Sequence, residues 1–534
     1  MNRQAASAVP IGTAALLALC LVYLLFGLGG HDPWKSDDAF HFGIAYSILD
    51  GQGWLIPHLA GSARLDAPPL YYWVAAMLAR ATGWLLAAPD GVRLATGLFG
   101  AVYFLALAGA GRRLHGQHGA AAALLVGLGN LGLLVPLHET QPASALLAAT
   151  AVGYWGIAIL PEQPRRGGLM LGGGVGVAFL AAGLFGLELI LPIALLLPLA
   201  PRWRSHTAAG GLATAALAAA PLIAAWPALL FWRSPRDLAN WWSLETSRLQ
   251  PPSDAALGDH MQLLAWFAWP ALPLAAWAVW RYRRQLTDAA IALPLAGAAL
   301  TLGIVVFTRE AKPTDELALL APLTLLAAAG AGQLRRGAAN AFDWFGMMTF
   351  SLVGFILWLG AVAIAAGVPA QLQQHFARLE PGYQAPFAVA AWATAAVATL
   401  LWIWHIARAP HSPWRAVTHW AAGVTLMWVL VATLWFPWID YGKTYRGLAE
   451  TVRQDIPVGE CVAGRNLSDA MRASLHYFAG IVTAPPSPGC RFLLEQGSGE
   501  ANRPAPAGWQ MLWEGSRPGD RNERLRLYRR EPPG

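Results

Sequence analysis

The sequence predicts an all-α, multi-pass membrane protein with a small α/β domain at its C-terminal end, on three observations: composition, run length and a late change of texture. Apolar residues make up 56% of the 534 residues and charged ones only 13%, where a soluble domain carries roughly 25% charged. A soluble chain of this length has no surface on which to place so much Leu, Ala, Val and Trp. Stretches such as 11–29, 120–137 and 350–368 run almost without charge, and roughly 18 to 20 such residues cross a bilayer core. From Pro437 onward Arg, Asp, Glu, Gly and Pro punctuate short apolar stretches, the texture of a water-facing segment.

In chain order the apolar runs are 10–29, 92–111, 118–136, 142–160, 169–184, 186–200, 207–231, 262–280, 288–307, 316–332, 344–367, 386–407 and 416–436. The first is expected to be a retained helix, because no small-residue cleavage site precedes His31. A further run, 68–86, is decided by the arginines. The net charge of +7 is spread over short loop clusters, which mark topology and not a nucleic-acid surface. If 68–86 spans, then Arg112/Arg113, Arg165/Arg166, Arg202/Arg204, Arg281/Arg283/Arg284 and Arg335/Arg336 fall outside while Arg3 is inside. If it lies along the surface, all of them fall inside with Arg3, as basic loops should.

The second arrangement leaves about thirteen spans and a cytoplasmic N-terminus. It divides the chain into a transmembrane part, 1–436, with an outward first loop at 30–91, and an outward soluble domain, 437–534. Several of the 26 Trp stand at run ends, namely Trp232, Trp241, Trp242, Trp435 and Trp438, where an indole is half wetted.

Cys20 lies inside the first run, as a small packing residue. Cys461 and Cys490 both fall in the outward domain, where an oxidising compartment favours a disulfide. Two free thiols or a metal site are the alternatives, and no Cys-x-x-Cys spacing supports metal.

The first loop holds the densest chemistry. Ser36 is placed to cap a helix whose first turn carries Asp37 and Asp38, suited to the helix dipole. Phe40, Phe42, Ile44, Ala45, Ile48 and Leu49 then give a broad apolar face, as in a helix lying on a membrane surface. Residue physics alone allows Asp37 and Asp38 to be simple caps. The next segment runs Trp54-Leu55-Ile56-Pro57-His58-Leu59-Ala60-Gly61 and then Pro68-Pro69-Leu70-Tyr71-Tyr72-Trp73.

That order resembles the first periplasmic loop of the GT-C glycosyltransferases, in the aminoarabinose transferase and protein O-mannosyltransferase branch. Trp241-Trp242 with Glu245 and Arg248 is similar to an aromatic outward loop of the family, and Lys312-Pro313-Thr314 before Ala321-Pro322-Leu323 to its lysine loop. The resemblance implies a bacterial inner-membrane enzyme that moves a sugar from a polyprenyl-phosphate carrier to a lipid, glycan or protein acceptor on the periplasmic face. It implies Asp37 as catalytic carboxylate with Asp38 beside it. Lys312, Arg309, Arg248, Glu245, Tyr71, Tyr72 and His58 would then bind substrate or lipid phosphate. No cofactor is implied, and metal dependence is left open.

Departures from the family pattern accompany the likeness. Ala67 stands where a lysine is usual, Glu139 and Gln141 where a second Asp is, Ala181-Ala182 near a missing lysine, and Asp315 in place of a Tyr. They keep two alternatives in view: a catalytically degenerate accessory subunit, and a transporter or flippase. Transporters carry ionisable groups within their spans or paired broken helices, whereas the polar groups here lie in outward loops. Gly172-Gly173-Gly174 with Gly176 is expected to serve close helix packing. No phosphate-binding glycine motif offers a site to a nucleotide sugar.

Overall fold

The computed structural model describes residues 11–66, 68–248, 254–485, 489–498 and 505–530. Helices dominate because apolar runs denied water must satisfy their backbone groups within the segment. Twelve of the runs form helices: Thr13–Leu25, Ala88–His115, Gly119–Gly129, Ala143–Ile159, Pro164–Ala182, Leu184–Leu196, His206–Arg233, Ala289–Thr308, Pro313–Ala331, Arg336–Ala366, Val389–Arg408 and Arg415–Leu430. Among the described residues seven helices are long and apolar enough to cross a membrane by themselves, and shorter apolar helices accompany them. This is a multi-pass membrane protein with seven or more candidate spans.

The run 262–280, expected as one straight span, is instead two helices, Asp254–Phe267 and Ala271–Arg281, whose axes turn by 98° at the break. Pro270 is the cause, since it brings no N–H and its ring clashes with the preceding turn. The Trp269 carbonyl at the corner accepts a hydrogen bond from Leu131 N at 3.1 Å.

The glycine-rich run packs as expected. A Cβ on Gly172 would lie 2.2 Å from the Ala215 carbonyl oxygen, and one on Gly168 2.3 Å from that of Gly211. Only glycine lets Pro164–Ala182 and His206–Arg233 approach so closely.

Two short helices, Asp37–Leu49 and Leu70–Thr82, occupy the first loop. Two expectations fail here. The Ser36 hydroxyl caps no backbone N–H and instead points to Asp37 Oδ1 at 3.4 Å. Nor is Asp37–Leu49 free to lie on a membrane, because Ala39, Phe42, Ile44, Ala45 and Ile48 are all buried within the protein. Gly43 marks one reason: a Cβ there would come within 2.4 Å of the Ala473 Cβ.

Ala473 belongs to the C-terminal segment, which folds as a four-stranded sheet with helices Arg446–Asp455 and Asp469–Ser474. The strand order is Val462–Arg465, Phe492–Ser498, Glu523–Arg530, Trp509–Gly515. The first pair is parallel and the others antiparallel. Leu448, Val452, Leu475, Leu494, Leu525 and Leu527 form its core together with Ala39 of the first-loop helix. Cys461 and Cys490, 29 residues apart, are disulfide-bonded just ahead of the parallel pair that begins at Val462 and Phe492.

The sheet segment is tied to the first loop by charge as well. Arg446 Nε donates to Asp32 Oδ2 at 2.8 Å, Trp34 Nε1 to Asp440 Oδ1 at 2.8 Å, and Lys35 pairs with Glu523 at 3.0 Å. The loop carrying the acidic pair is therefore held from both sides.

Candidate active site

Asp37 and Asp38 are neighbours with opposite surroundings. Asp37 opens the helix and is exposed to solvent. Asp38, about one helical step or 100° further round, is 1% exposed. Its Oδ2 accepts from Arg93 Nη2 and from Trp34 N, both at 2.9 Å, and its Oδ1 from Thr140 N at 2.8 Å. Burial opposes the charge of Asp38, but the adjoining Arg93 outweighs it and holds the carboxyl down at about 2. Arg93 also donates to the carbonyls of His31 and Asp32 at 2.9 and 2.7 Å. This buried pair fixes the entry to the helix and leaves Asp37 facing solvent.

Glu139 faces the same carboxylates. Burial first, and then the charge of Asp38, push its carboxyl up to about 8. His41, one turn beyond Asp37, sits with Nδ1 2.8 Å from the Tyr72 hydroxyl. Tyr71, fully buried, shares a 2.7 Å hydrogen bond with Thr96 and accepts from Gln141 N at 3.1 Å. The two tyrosines thus anchor neighbouring segments. His58 lies 2.6 Å from the Ile56 carbonyl and stiffens its own turn.

A cavity of about 160 Å³ opens beyond Gln141, lined also by Asp66, Phe185, Arg248, Arg309, Thr314 and Asp315. Arg248 is aimed by a 2.8 Å bond from Nη1 to Glu245 Oε1 and a 3.0 Å bond from Nη2 to the Asp66 carbonyl. Glu245 is itself buried and accepts from Leu184 N at 2.8 Å. Burial raises its carboxyl, and that backbone donor and Arg248 work the other way. Gly183 makes room for it: its φ is +64°, and a Cβ there would meet Glu245 Oε2 at 2.4 Å.

The Arg309 guanidinium stacks over the Phe185 ring at 4.1 Å. Its Nε is buried and has no hydrogen-bond partner among the described residues. Burial lowers its pKa, and the neighbouring Arg248 adds to that lowering. The backbone of Arg309 is steadied by His260, whose Nε2 lies 3.2 Å from the Arg309 carbonyl while its Nδ1 bonds to Glu316. Two guanidiniums, one with a spare donor, thus converge on one small cavity that Asp66 and Asp315 also line, and planar guanidinium forks of this kind suit carboxylate and phosphate oxygens.

Of the residues expected from the sequence, Arg248 and Arg309 line this cavity and Glu245 backs it. Lys312 does not line it: its side chain is 61% exposed and paired with Glu310 at 2.9 Å. Pro313 opens the following helix with Lys312 as its cap residue, which turns that side chain to water. Asp66, Asp315, Gln141, His41 and Arg93 were not singled out as site residues by sequence reasoning. An arginine at the mouth of an apolar span, as Arg93 is, was the one available signal. Ala67 lies outside the described residues. Among those described, no group of three or more His, Cys, Asp or Glu is placed to hold a metal ion.

Fold and site together define a multi-pass membrane protein with an acidic first loop and a cavity lined by two arginines and two aspartates. Among solved structures, ArnT from Cupriavidus metallidurans bound to undecaprenyl phosphate superposes with a TM-score of 0.68 at 14% identity, covering 96% of each chain. The apo state of that protein gives 0.69 at 16% identity, over 96% of this chain and 97% of that one. A curated relative, undecaprenyl phosphate-alpha-4-amino-4-deoxy-L-arabinose arabinosyl transferase of Edwardsiella ictaluri (strain 93-146), is 27% identical over 220 residues. That match spans 38% of this chain and 37% of the relative's length. No family model matches the chain. The chain resembles the aminoarabinose transferases, and the fold is theirs.

Proposed function

We propose that this protein is a glycosyltransferase that takes a sugar from a polyprenyl-phosphate carrier and passes it to an acceptor hydroxyl or amine on the periplasmic face of the bacterial inner membrane. The observation that carries the proposal is the convergence of Arg248 and Arg309 on one cavity beside the Gln141 segment, in a chain with an aminoarabinose-transferase fold. The donor class follows the two similar proteins, one crystallised with undecaprenyl phosphate and the other named for transfer from it. Lipid, glycan and protein all remain acceptors of the right chemistry.

In the proposed reaction the acceptor attacks C1 of the sugar, the C1–O bond to phosphate breaks, and the polyprenyl phosphate leaves as an anion. Arg248 and Arg309 hold that phosphate, so that negative charge developing on it is met by donors already in place. Asp37 orients the acceptor and takes its proton. Asp38, saturated by Arg93, Trp34 and Thr140, positions Asp37 and stays charged throughout. Residues 1–436 form the transmembrane part and 437–534 a periplasmic domain that clamps the first loop from above.

The test uses purified protein, a radiolabelled polyprenyl-phosphate sugar and isolated envelope acceptors. Transfer of label by the wild type, and its loss in Arg309→Ala with the protein still folded, is the expected result. Label that is never transferred to any envelope fraction would remove the enzyme assignment.

A further inference from the structure

At the end of the bundle away from the first loop, the first helix meets the C-terminal end of Val389–Arg408 and the N-terminal end of Arg415–Leu430. Between them run two cavities of about 250 and 270 Å³. Both are lined by Ile11, Ala15, Trp404, His405 and Thr418, so they form one groove with two characters.

Its mouth is cationic. Arg408, Arg415, His405 and His419 line it, and among the described residues no carboxylate does. Asp343 stands behind, 3.1 Å from Arg415 Nε and 2.6 Å from His419 Nδ1. His419 is wholly buried, and its Nε2 has no hydrogen-bond partner among the described residues. A buried ring nitrogen left without a partner costs free energy unless a ligand meets it.

The inner part is apolar. It follows the helix from Thr418 to Val429, about 16 Å at 1.5 Å per residue. Leu401 and Trp404 on its rim are 58% and 61% exposed, so the groove opens sideways towards lipid and not towards water.

We propose that this groove binds an anionic glycerophospholipid of the adjoining leaflet. The headgroup phosphate would lie against Arg408 and Arg415, and an acyl chain would lie along the first helix. A small soluble anion has no use for the apolar part. A zwitterionic lipid would carry its own ammonium to two guanidiniums. Basic pockets between membrane helices are suited to anionic headgroups, and this one is separate from the Arg248–Arg309 cavity at the other end of the bundle.

Native mass spectrometry of the detergent-purified full chain tests this, with phosphatidylglycerol, phosphatidylcholine of the same acyl chains, decaprenyl phosphate and inorganic phosphate as probes. Phosphatidylglycerol should bind on the order of 25-fold more tightly than phosphatidylcholine, given about fivefold for each of the two arginines. Arg408→Gln, at an exposed position, should erase about fivefold of that preference without lowering the melting temperature. Ala398→Phe, which narrows the apolar part, should weaken both phospholipids alike, and Arg309→Ala should weaken neither. Equal binding of the two phospholipids would overturn the proposal, as would a preference untouched by Arg408→Gln. Displacement of phosphatidylglycerol by decaprenyl phosphate at equal concentration would overturn the assignment to a glycerophospholipid, and displacement by inorganic phosphate would overturn the role given to the acyl chain.

Discussion

Arg93 Nη2 donates to Asp38 Oδ2 at 2.9 Å, and neither side chain reaches solvent. The pair joins the helix Ala88–His115 to the start of the first-loop helix, and Arg93 ties in two loop carbonyls besides. Breaking a buried pair from one side leaves the other charge uncompensated, at about 3–5 kcal/mol. Arg93→Ala is therefore expected to lower yield and melting temperature sharply. Asp38→Asn should destabilise as well, since an amide cannot take all the bonds the carboxylate accepts. Wild-type melting in either variant, followed by scanning fluorimetry in detergent, would deny the pair its holding role.

Glu139 gives the clearest dependence on pH. A carboxyl raised to about 8 binds a proton on folding, so its contribution to stability is full below its unfolded value near 4.3. That contribution is lost as pH rises through about 8. Glu139→Gln removes the titration and keeps the shape. The melting temperature of the wild type should fall relative to the variant between pH 5 and pH 9. A difference that stays constant over that range would show that Glu139 titrates normally.

How much of this was legible in the sequence depends on the length scale of the signal. Helix runs were legible because burial in lipid demands some twenty apolar residues in a row. The corner at Trp269–Pro270 was not, since a proline inside an apolar run is compatible with a kink as well as with a break. The acidic pair was legible from a local motif, but the contrast between an exposed Asp37 and a buried Asp38 was not. It depends on Arg93 and Thr140, 55 and 102 residues away. Lys312 looked like a phosphate ligand by its place beside Pro313, yet the helix start sends it outward to Glu310.

That contrast separates the cations. Arg309→Ala should reduce transfer by about 10²–10³, as loss of a donor to developing charge does, with Arg309→Lys recovering little because an ammonium lacks the planar fork. Lys312→Ala should change the rate by less than about threefold, because Lys312 faces water in an exposed pair with Glu310 and does not line the cavity. Initial rates with a radiolabelled polyprenyl-phosphate sugar decide it. A larger loss for Lys312→Ala than for Arg309→Ala would place the phosphate elsewhere.

The disulfide closes a 29-residue loop in the sheet segment, which in the entropy model stabilises by about 3 kcal/mol. Cys461→Ser and Cys490→Ser should each lower the melting temperature by similar amounts, and the double variant by no more than either. Additive losses would mean that the two thiols act independently. Because this segment grips the first loop through Arg446–Asp32 and Lys35–Glu523, transfer activity should fall along with stability.

The last prediction concerns Asp37. It is exposed, and its recorded hydrogen bond is a 3.4 Å contact from the Ser36 hydroxyl, so Asp37→Asn removes a charge from a position the fold does not use. The variant should insert and melt as the wild type does, yet transfer should drop by about 10²–10⁴, the usual loss of a positioned base. Asp38→Asn should show the reverse order, with stability failing first. The pair of variants therefore distinguishes a proton acceptor from a structural carboxylate within one dipeptide. Binding of the donor, measured separately with a non-transferable analogue, should survive Asp37→Asn, because in the proposed reaction the phosphate is held by Arg248 and Arg309. Loss of donor binding with Asp37→Asn would move this carboxylate from acceptor activation to donor recognition. Full transfer by the variant would take it out of the site altogether and leave Glu139, the neighbouring carboxyl, as the group to test next.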